Sequence, residues 1–220
     1  YGSSDHFALI AKNSSESDQS AAENAIGLTT RFNNLQATWN RQLRGNTDQN
    51  VVLEVGPQHL EFSAGLGVRF QLETTQMYGR SQWLTRINEH LRLVTGLDVS
   101  SGPFQITYIG PSVGQSEGNP GNTSADTIGV KTSGFIFRPG VYADLTVEYG
   151  RLLVNSALRL DYYSEINGYS IDPRFVVQYQ VRPQWKLKWA AGIYSQPPEF
   201  QESSADIGNP NLNPIHSAHF

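Results

Sequence analysis

Side chains whose types and spacing could support chemistry occur near the middle and at the end of this 220-residue chain. Gly114-Gln115-Ser116-Glu117-Gly118 matches the Gly-x-Ser-x-Gly pattern of a serine nucleophile, which requires a strand before it and a helix after it. Prolines at positions 111 and 120 prevent a helix from starting there. His216 and His219 are three residues apart, which would bring two metal ligands together on a helix but separate them on a strand. We therefore predict no catalytic site, no metal site and no cofactor.

The composition narrows the classes of protein further. The chain has 16 Lys and Arg against 20 Asp and Glu, so it lacks the basic surface that nucleic-acid phosphates require of a partner. It contains no cysteine, which excludes disulfide bonds and thiolate ligands. No apolar stretch approaches the roughly 18 residues of a membrane-spanning helix. A membrane barrel remains compatible with this composition, because its strands alternate in polarity.

Apolar residues recur at every second position through most of the chain, which predicts β-strands with one apolar face. The predicted strands are 5–12, 26–43, 50–56, 65–76, 82–99, 134–149, 152–163, 172–181 and 185–194, with a tenth beginning near Ser217. Short turns and long polar loops alternate between them, as in an up-and-down transmembrane barrel. We therefore predict an all-β, antiparallel barrel of which this chain contributes about nine or ten strands.

The same alternation predicts which side chains face lipid and which face the lumen. Apolar positions on strictly alternating strands should contact lipid, namely Val68, Phe70, Leu72, Val147, Leu158 and Leu160. Charged positions on the opposite face should look into the lumen, namely Arg69, Glu73, Arg92, Asp98, Asp144, Glu148, Arg159, Asp161, Arg174 and Lys188.

Four short motifs follow one another in the final third of the chain. Arg159-Leu160-Asp161-Tyr162 ends one predicted strand, and Asp172-Pro173-Arg174-Phe175 opens the next. Gly192-Ile193-Tyr194-Ser195-Gln196-Pro197-Pro198 is then followed by Gly208-Asn209-Pro210-Asn211-Leu212-Asn213-Pro214. In this order the motifs resemble the barrel domain of the TonB-dependent outer-membrane receptors of Gram-negative bacteria. The residues that carry the resemblance are Asp161, Pro173, Arg174, Gly192, Tyr194, Pro197, Pro198, Gly208, Asn209, Pro210, Leu212 and Pro214.

The resemblance implies that residues 1–220 are a segment of a receptor barrel, of the kind that reaches 22 strands and holds a plug domain not present in this chain. It implies a protein that is not an enzyme and that takes up a scarce solute, such as a ferric siderophore, cobalamin or a glycan. Its partners would be outer-membrane lipid and, through the plug, the TonB complex. Among residues in the predicted long loops, we expect Tyr108, Asn119, Gln196 and Asn209 to contact the solute.

Two other classes of protein remain open from the sequence. A passive, porin-like diffusion barrel has the same strand pattern but no plug, and a folded domain upstream of Tyr1 would argue against it. A soluble, secreted β-sandwich used for binding or adhesion also has alternating strands. Partition of the intact product into detergent would exclude the sandwich.

Overall fold

The structure is a computed structural model that describes residues 5–19, 27–64, 67–111, 127–198, 202, 209 and 211–220. Among these residues, no helix has both the length and the apolar character needed to cross a membrane. The strands are β1 (Asp5–Gln19), β2 (Gly27–Leu43), β3 (Thr47–Ala64), β4 (Val68–Arg86), β5 (Leu91–Pro111), β6 (Thr127–Tyr149), β7 (Leu152–Tyr163), β8 (Gly168–Arg182), β9 (Trp185–Gln196) and β10 (Ile215–His219).

The ten strands form one sheet whose order follows the chain from β1 to β10. Each strand pairs antiparallel with the next one in sequence. The sheet is open, because β1 and β10 stand at its two edges. This arrangement confirms the predicted up-and-down fold. It excludes the β-sandwich, which requires two sheets packed face to face.

Several strands extend further than predicted. β5 ends at Pro111 and β6 begins at Thr127, so the connection predicted at 100–133 is reduced to 112–126. The predicted break at 77–81 is wrong, because these residues lie within β4 and Gly79 pairs with both Leu53 and Val99. The chain reverses instead at 87–90, inside the strand that was predicted at 82–99. A single glycine interrupts an alternating pattern in the sequence without interrupting the backbone ladder.

The connections fall into two groups at opposite ends of the sheet. The short-turn end contains 44–46, 87–90, 150–151 and 183–184, and the loop end contains the connections at 20–26, 65–67, 112–126, 164–167 and 197–214. Tight reversal at the short-turn end uses left-handed backbone conformations, with φ of 78° at Gly45, 59° at Asn46 and 58° at Gly150. Successive connections along the chain therefore lie at alternate ends of the sheet, as the sequence predicted.

One face of the sheet, named here the inner face, lines a cavity of about 960 Å³. Side chains from six adjacent strands, β4 to β9, border this cavity, so the sheet curves around it. In β6 the even-numbered Tyr142 and Asp144 point into the cavity. The odd-numbered Phe137 and Val141 on the opposite, outer face are 44% and 51% exposed. Curvature crowds the inner side chains and spreads the outer ones.

In the half of the sheet near the short-turn end, the outer face is apolar and the inner face is polar, as in the wall of a membrane barrel. The outer face there exposes large apolar side chains that include Leu53, Leu97, Val141, Leu158 and Leu160. The inner face carries the polar side chains of the same strands, among them Arg80, Asp98, Tyr142 and Arg159. The predicted lipid-facing positions Val147, Leu158 and Leu160 are thus on the outer face.

This polarity is reversed near the loop end of β2 to β6. The pairings of β3 with β4 and of β5 with β6 continue without a register shift, so even-numbered residues stay on the inner face along these strands. Val68, Phe70 and Leu72 therefore lie on the inner face, and the prediction that they face lipid is wrong. Arg69 and Glu73 lie on the outer face, which corrects their predicted lumen position. Alternation shows that a strand has an apolar face, but it does not show to which side that face points.

Candidate functional site

Arg159 in β7 is the centre of a charged group on the inner face. Its Nη1 and Nη2 donate hydrogen bonds of 2.8 and 2.9 Å to the two carboxylate oxygens of Asp98 in β5. Its Nε and Nη2 donate bonds of 2.8 and 2.6 Å to Asp161. The side chains of Asp98 and Asp161 are only 11% and 12% exposed. One guanidinium group therefore joins two nearly buried carboxylates through charge-assisted hydrogen bonds.

The register of the sheet brings these two carboxylates together. Asp98, Gly140 and Asp161 are paired in one row across β5, β6 and β7. Gly140 separates the two acids and has no side chain, so both can lean over it towards Arg159. A Cβ atom at Gly140 would lie 2.6 Å from Arg159 Nη2 and 3.1 Å from Asp98 Oδ1, and it would also contact Asp161. The charged group thus requires glycine at this position.

A second glycine supports the neighbouring row. Gly96, Tyr142 and Arg159 are paired across β5, β6 and β7, and the ring of Tyr142 lies over Gly96. The Tyr142 hydroxyl donates a hydrogen bond of 2.9 Å to Oε1 of Gln82 in β4. On its other side, the ring of Tyr142 is 5.7 Å from the guanidinium carbon of Arg159. The ring thus adds a cation–π contact to the hydrogen bonds that Arg159 makes with its two carboxylate partners.

A further polar group ties β8, β9 and β10 together. Asp172 is 2% exposed and accepts hydrogen bonds from the backbone N–H of Ser195, at 3.0 Å, and from its hydroxyl, at 2.5 Å. The Ser195 hydroxyl is also 2.7 Å from Nδ1 of His216. Nearby, the guanidinium group of Arg174 lies 4.5 Å above the ring of Tyr194. Two residues of the family-like motifs, Arg174 and Tyr194, therefore stack on each other across β8 and β9.

The order of these groups differs from that of a hydrolase triad. In a serine hydrolase the histidine lies between the carboxylate and the serine, whereas here Ser195 lies between Asp172 and His216. Within the described ranges, no group of three or more His, Asp or Glu side chains is placed to hold a metal ion. The Gly-x-Ser-x-Gly run at 114–118 lies outside the described residues.

The residues predicted to contact a solute do not form one cluster with these charges. Tyr108 lies within β5, because that strand is longer than predicted, and Gln196 is the last residue of β9. Asn209 is exposed, and its Oδ1 accepts a bond of 3.0 Å from the backbone N–H of Asn211. Asn119, Gly208 and Pro210 lie outside the described residues.

The other motif residues shape strands and their ends. Pro173 lies in β8 opposite Leu158, and Gly192 lies opposite Arg174. Pro197 and Pro198 follow the end of β9, while Leu212 and Pro214 precede β10. Sequence reasoning placed Asp98, Arg159 and Asp161 on the lumen face but missed Gly96, Gly140, Tyr142 and Ser195. The glycines carried no signal in the alternating pattern, since their role depends on which residues stand beside them in neighbouring strands.

Comparison with known proteins agrees with this architecture. A family model described as TonB dependent receptor-like, beta-barrel matches residues 4–220. Among solved structures, the outer membrane transporter YddB from Escherichia coli aligns with a TM-score of 0.63 at 10% sequence identity, over 94% of this chain and 32% of that one. The chain thus spans about a third of that transporter, and a search of curated proteins found no match in sequence. The chain belongs to the TonB-dependent receptor β-barrel family and forms part of a barrel in the Gram-negative outer membrane.

Proposed function

We propose that this chain is part of the wall of an outer-membrane transporter that takes up a scarce solute with energy supplied through TonB. The observation that carries the proposal is the match of the family model to almost the whole chain. The paired Asp98, Arg159 and Asp161 support it, because charges held by hydrogen bonds on the inner face suit a wet and occupied lumen. The whole receptor would contain the remaining strands and a plug, and the plug would contact the TonB complex.

The solute classes consistent with the proposal are a ferric siderophore, cobalamin and a glycan. Tyr108, Asn119, Gln196 and Asn209 are proposed as its first contacts, because they belong to the loop-end parts of the chain. Outer-membrane lipid is the second proposed partner. It would contact the outer apolar side chains, such as Leu97 and Val141, which are 47% and 51% exposed.

The competing function is passive diffusion through a porin-like barrel. The test is uptake by intact cells of a Gram-negative host that expresses the full-length protein, with labelled cyanocobalamin, a labelled ferric catecholate and a labelled maltooligosaccharide as probes. We expect saturable uptake of one probe, which is lost in a host without TonB or after addition of a protonophore. Uptake that rises linearly with concentration and is unchanged without TonB would establish the passive barrel instead.

A further inference from the structure

The inner face carries a second surface near the loop end, remote from the charged group around Arg159. Residues that pair directly across β2 to β6 form rows on this face. One such row consists of Leu28, Phe62, Phe70, Tyr108 and Val130. Every side chain in this row is aliphatic or aromatic, and three of the five are aromatic.

The next two rows towards the short-turn end are also uncharged. The first consists of Thr30, Leu60, Leu72, Ile106 and Thr132. The second consists of Phe32, Gln58, Thr74 and Phe104, so two aromatic rings stand at the ends of a row with two uncharged polar side chains between them. The three rows together are named the apolar inner patch. From ordinary strand and residue spacings the patch measures about 19 Å by about 13 Å. Ile106 is 3% exposed within it, whereas Leu28 and Phe32 are 47% and 42% exposed.

The outer face at the same level of the sheet is charged. Arg69 Nε lies 3.1 Å from Glu61 Oε1, and His59 Nδ1 lies 3.6 Å from Glu73 Oε1. Lys131 is also exposed on this face. Ionised arginine, lysine and glutamate side chains are costly in hydrocarbon, so this part of the sheet lies beyond the apolar membrane layer. The apolar inner patch therefore faces the mouth of the barrel at a level where water surrounds the protein.

Ligand sites are typically concave surfaces lined by aliphatic and aromatic side chains with a few polar groups, and the rows of the patch have this composition. The connection at 112–126, which follows β5 at this end, contains Val113 as its one large apolar side chain, so its sequence is poorly suited to cover the patch. The patch carries no charge, whereas the inner face nearer the short-turn end carries Arg80, Asp98 and Arg159. A solute entering from the loop end would reach the apolar inner patch before it reaches those charges.

We propose that the apolar inner patch binds an uncharged aromatic or aliphatic part of the transported solute, which makes that solute an amphiphile. This inference rests on the proposed transport function for the direction of entry, but the binding itself requires no energy coupling. The rings of Phe62, Phe70 and Tyr108 are paired neighbours on three strands and supply a broad, stiff contact surface.

The test uses the full-length receptor in lipid nanodiscs and the aromatic amphiphile 1-anilinonaphthalene-8-sulfonate as probe, with empty nanodiscs subtracted. We expect Phe70→Ser and Tyr108→Ser each to weaken probe binding about tenfold, since an aromatic contact is lost. Gln71→Ser, the next residue on the outer face, should leave binding unchanged. Tyr108→Phe should retain it, because the ring remains.

Equal binding by the wild type, Phe70→Ser and Tyr108→Ser would overturn the proposal, and so would an equal loss in Gln71→Ser. If Phe70→Ser does not fold, the comparison of Tyr108→Ser with Tyr108→Phe decides the outcome. Binding that depends on the patch in a protein whose uptake does not require TonB would contradict the energy-coupled function and leave this inference intact. TonB-dependent uptake by a protein whose probe binding does not depend on the patch would support the energy-coupled function and overturn this inference.

Discussion

Asp98 and Asp161 converge over Gly140, so two like charges would repel each other across the inner face if Arg159 were absent. We expect Arg159→Met to lower the free energy of unfolding by about 2–3 kcal/mol, because it leaves two nearly buried carboxylates without a cation. Adding Asp98→Asn and Asp161→Asn to Arg159→Met should restore most of the loss. Urea unfolding of the full-length barrel in detergent measures both changes. Arg44→Met in the exposed turn is the control, and an equal loss there would contradict this account.

For individual residues, the sequence predicts which side chains share one face of a strand, but not which partners they contact. Alternation placed Asp98, Arg159 and Asp161 together on the polar side of their strands. The contact of Asp98 with Arg159 joins positions 61 residues apart and exists only in one register of β5, β6 and β7. That register is set by long-range pairing, on which a single sequence carries no direct information.

Each of β3 to β6 has an apolar outer face near the short-turn end and a polar outer face near the loop end. Only the part with the apolar outer face should therefore be sensitive to a charge placed on that face. Leu97 and Val94 are both apolar residues of β5, but Leu97 lies on the outer face and Val94 borders the inner cavity. We expect Leu97→Arg to cost about 2–4 kcal/mol if it lies near the membrane midplane. Val94→Arg should cost much less, because a cation can be hydrated in the lumen. Unfolding titrations in lipid vesicles compare the two, and a larger cost at Val94 would show that the faces are assigned in reverse.

The reversal explains which strands were predicted well. β7 and β9 keep one polarity pattern over 12 residues each, and their predicted bounds of 152–163 and 185–194 agree closely with the structure. β4 and β5 are longer, and the inner face of each is apolar near the loop end and polar near the short-turn end. The change falls between Leu72 and Tyr78 in β4 and between Asp98 and Phe104 in β5. A pattern that changes within one strand resembles the end of that strand, so the sequence predicts a strand end at residue 99 and a loop at Tyr108.

For the whole molecule, the topology predicts which parts of the chain reach the cell surface. Because antiparallel neighbours follow chain order, connections of one group lie at one end of the sheet and those of the other group at the opposite end. Bacterial barrels place their short turns in the periplasm and their longer loops outside, so the loop end should be extracellular. Single cysteines at Asn119 and Asn209 in the full-length protein should then react with an impermeant maleimide on intact cells. A cysteine at Arg151 tests the opposite end, since its neighbour Gly150 has a φ of 58° that disfavours substitution.

The cysteine at Arg151 should react only after the outer membrane is permeabilised. Labelling of Arg151→Cys on intact cells, with protection of the other two, would invert the orientation and place the apolar inner patch on the periplasmic side. Reaction of all three on intact cells would mean that the sheet does not separate two compartments. The intact-cell pattern thus decides the direction of entry on which the proposed solute contact depends, independently of whether any solute has been identified.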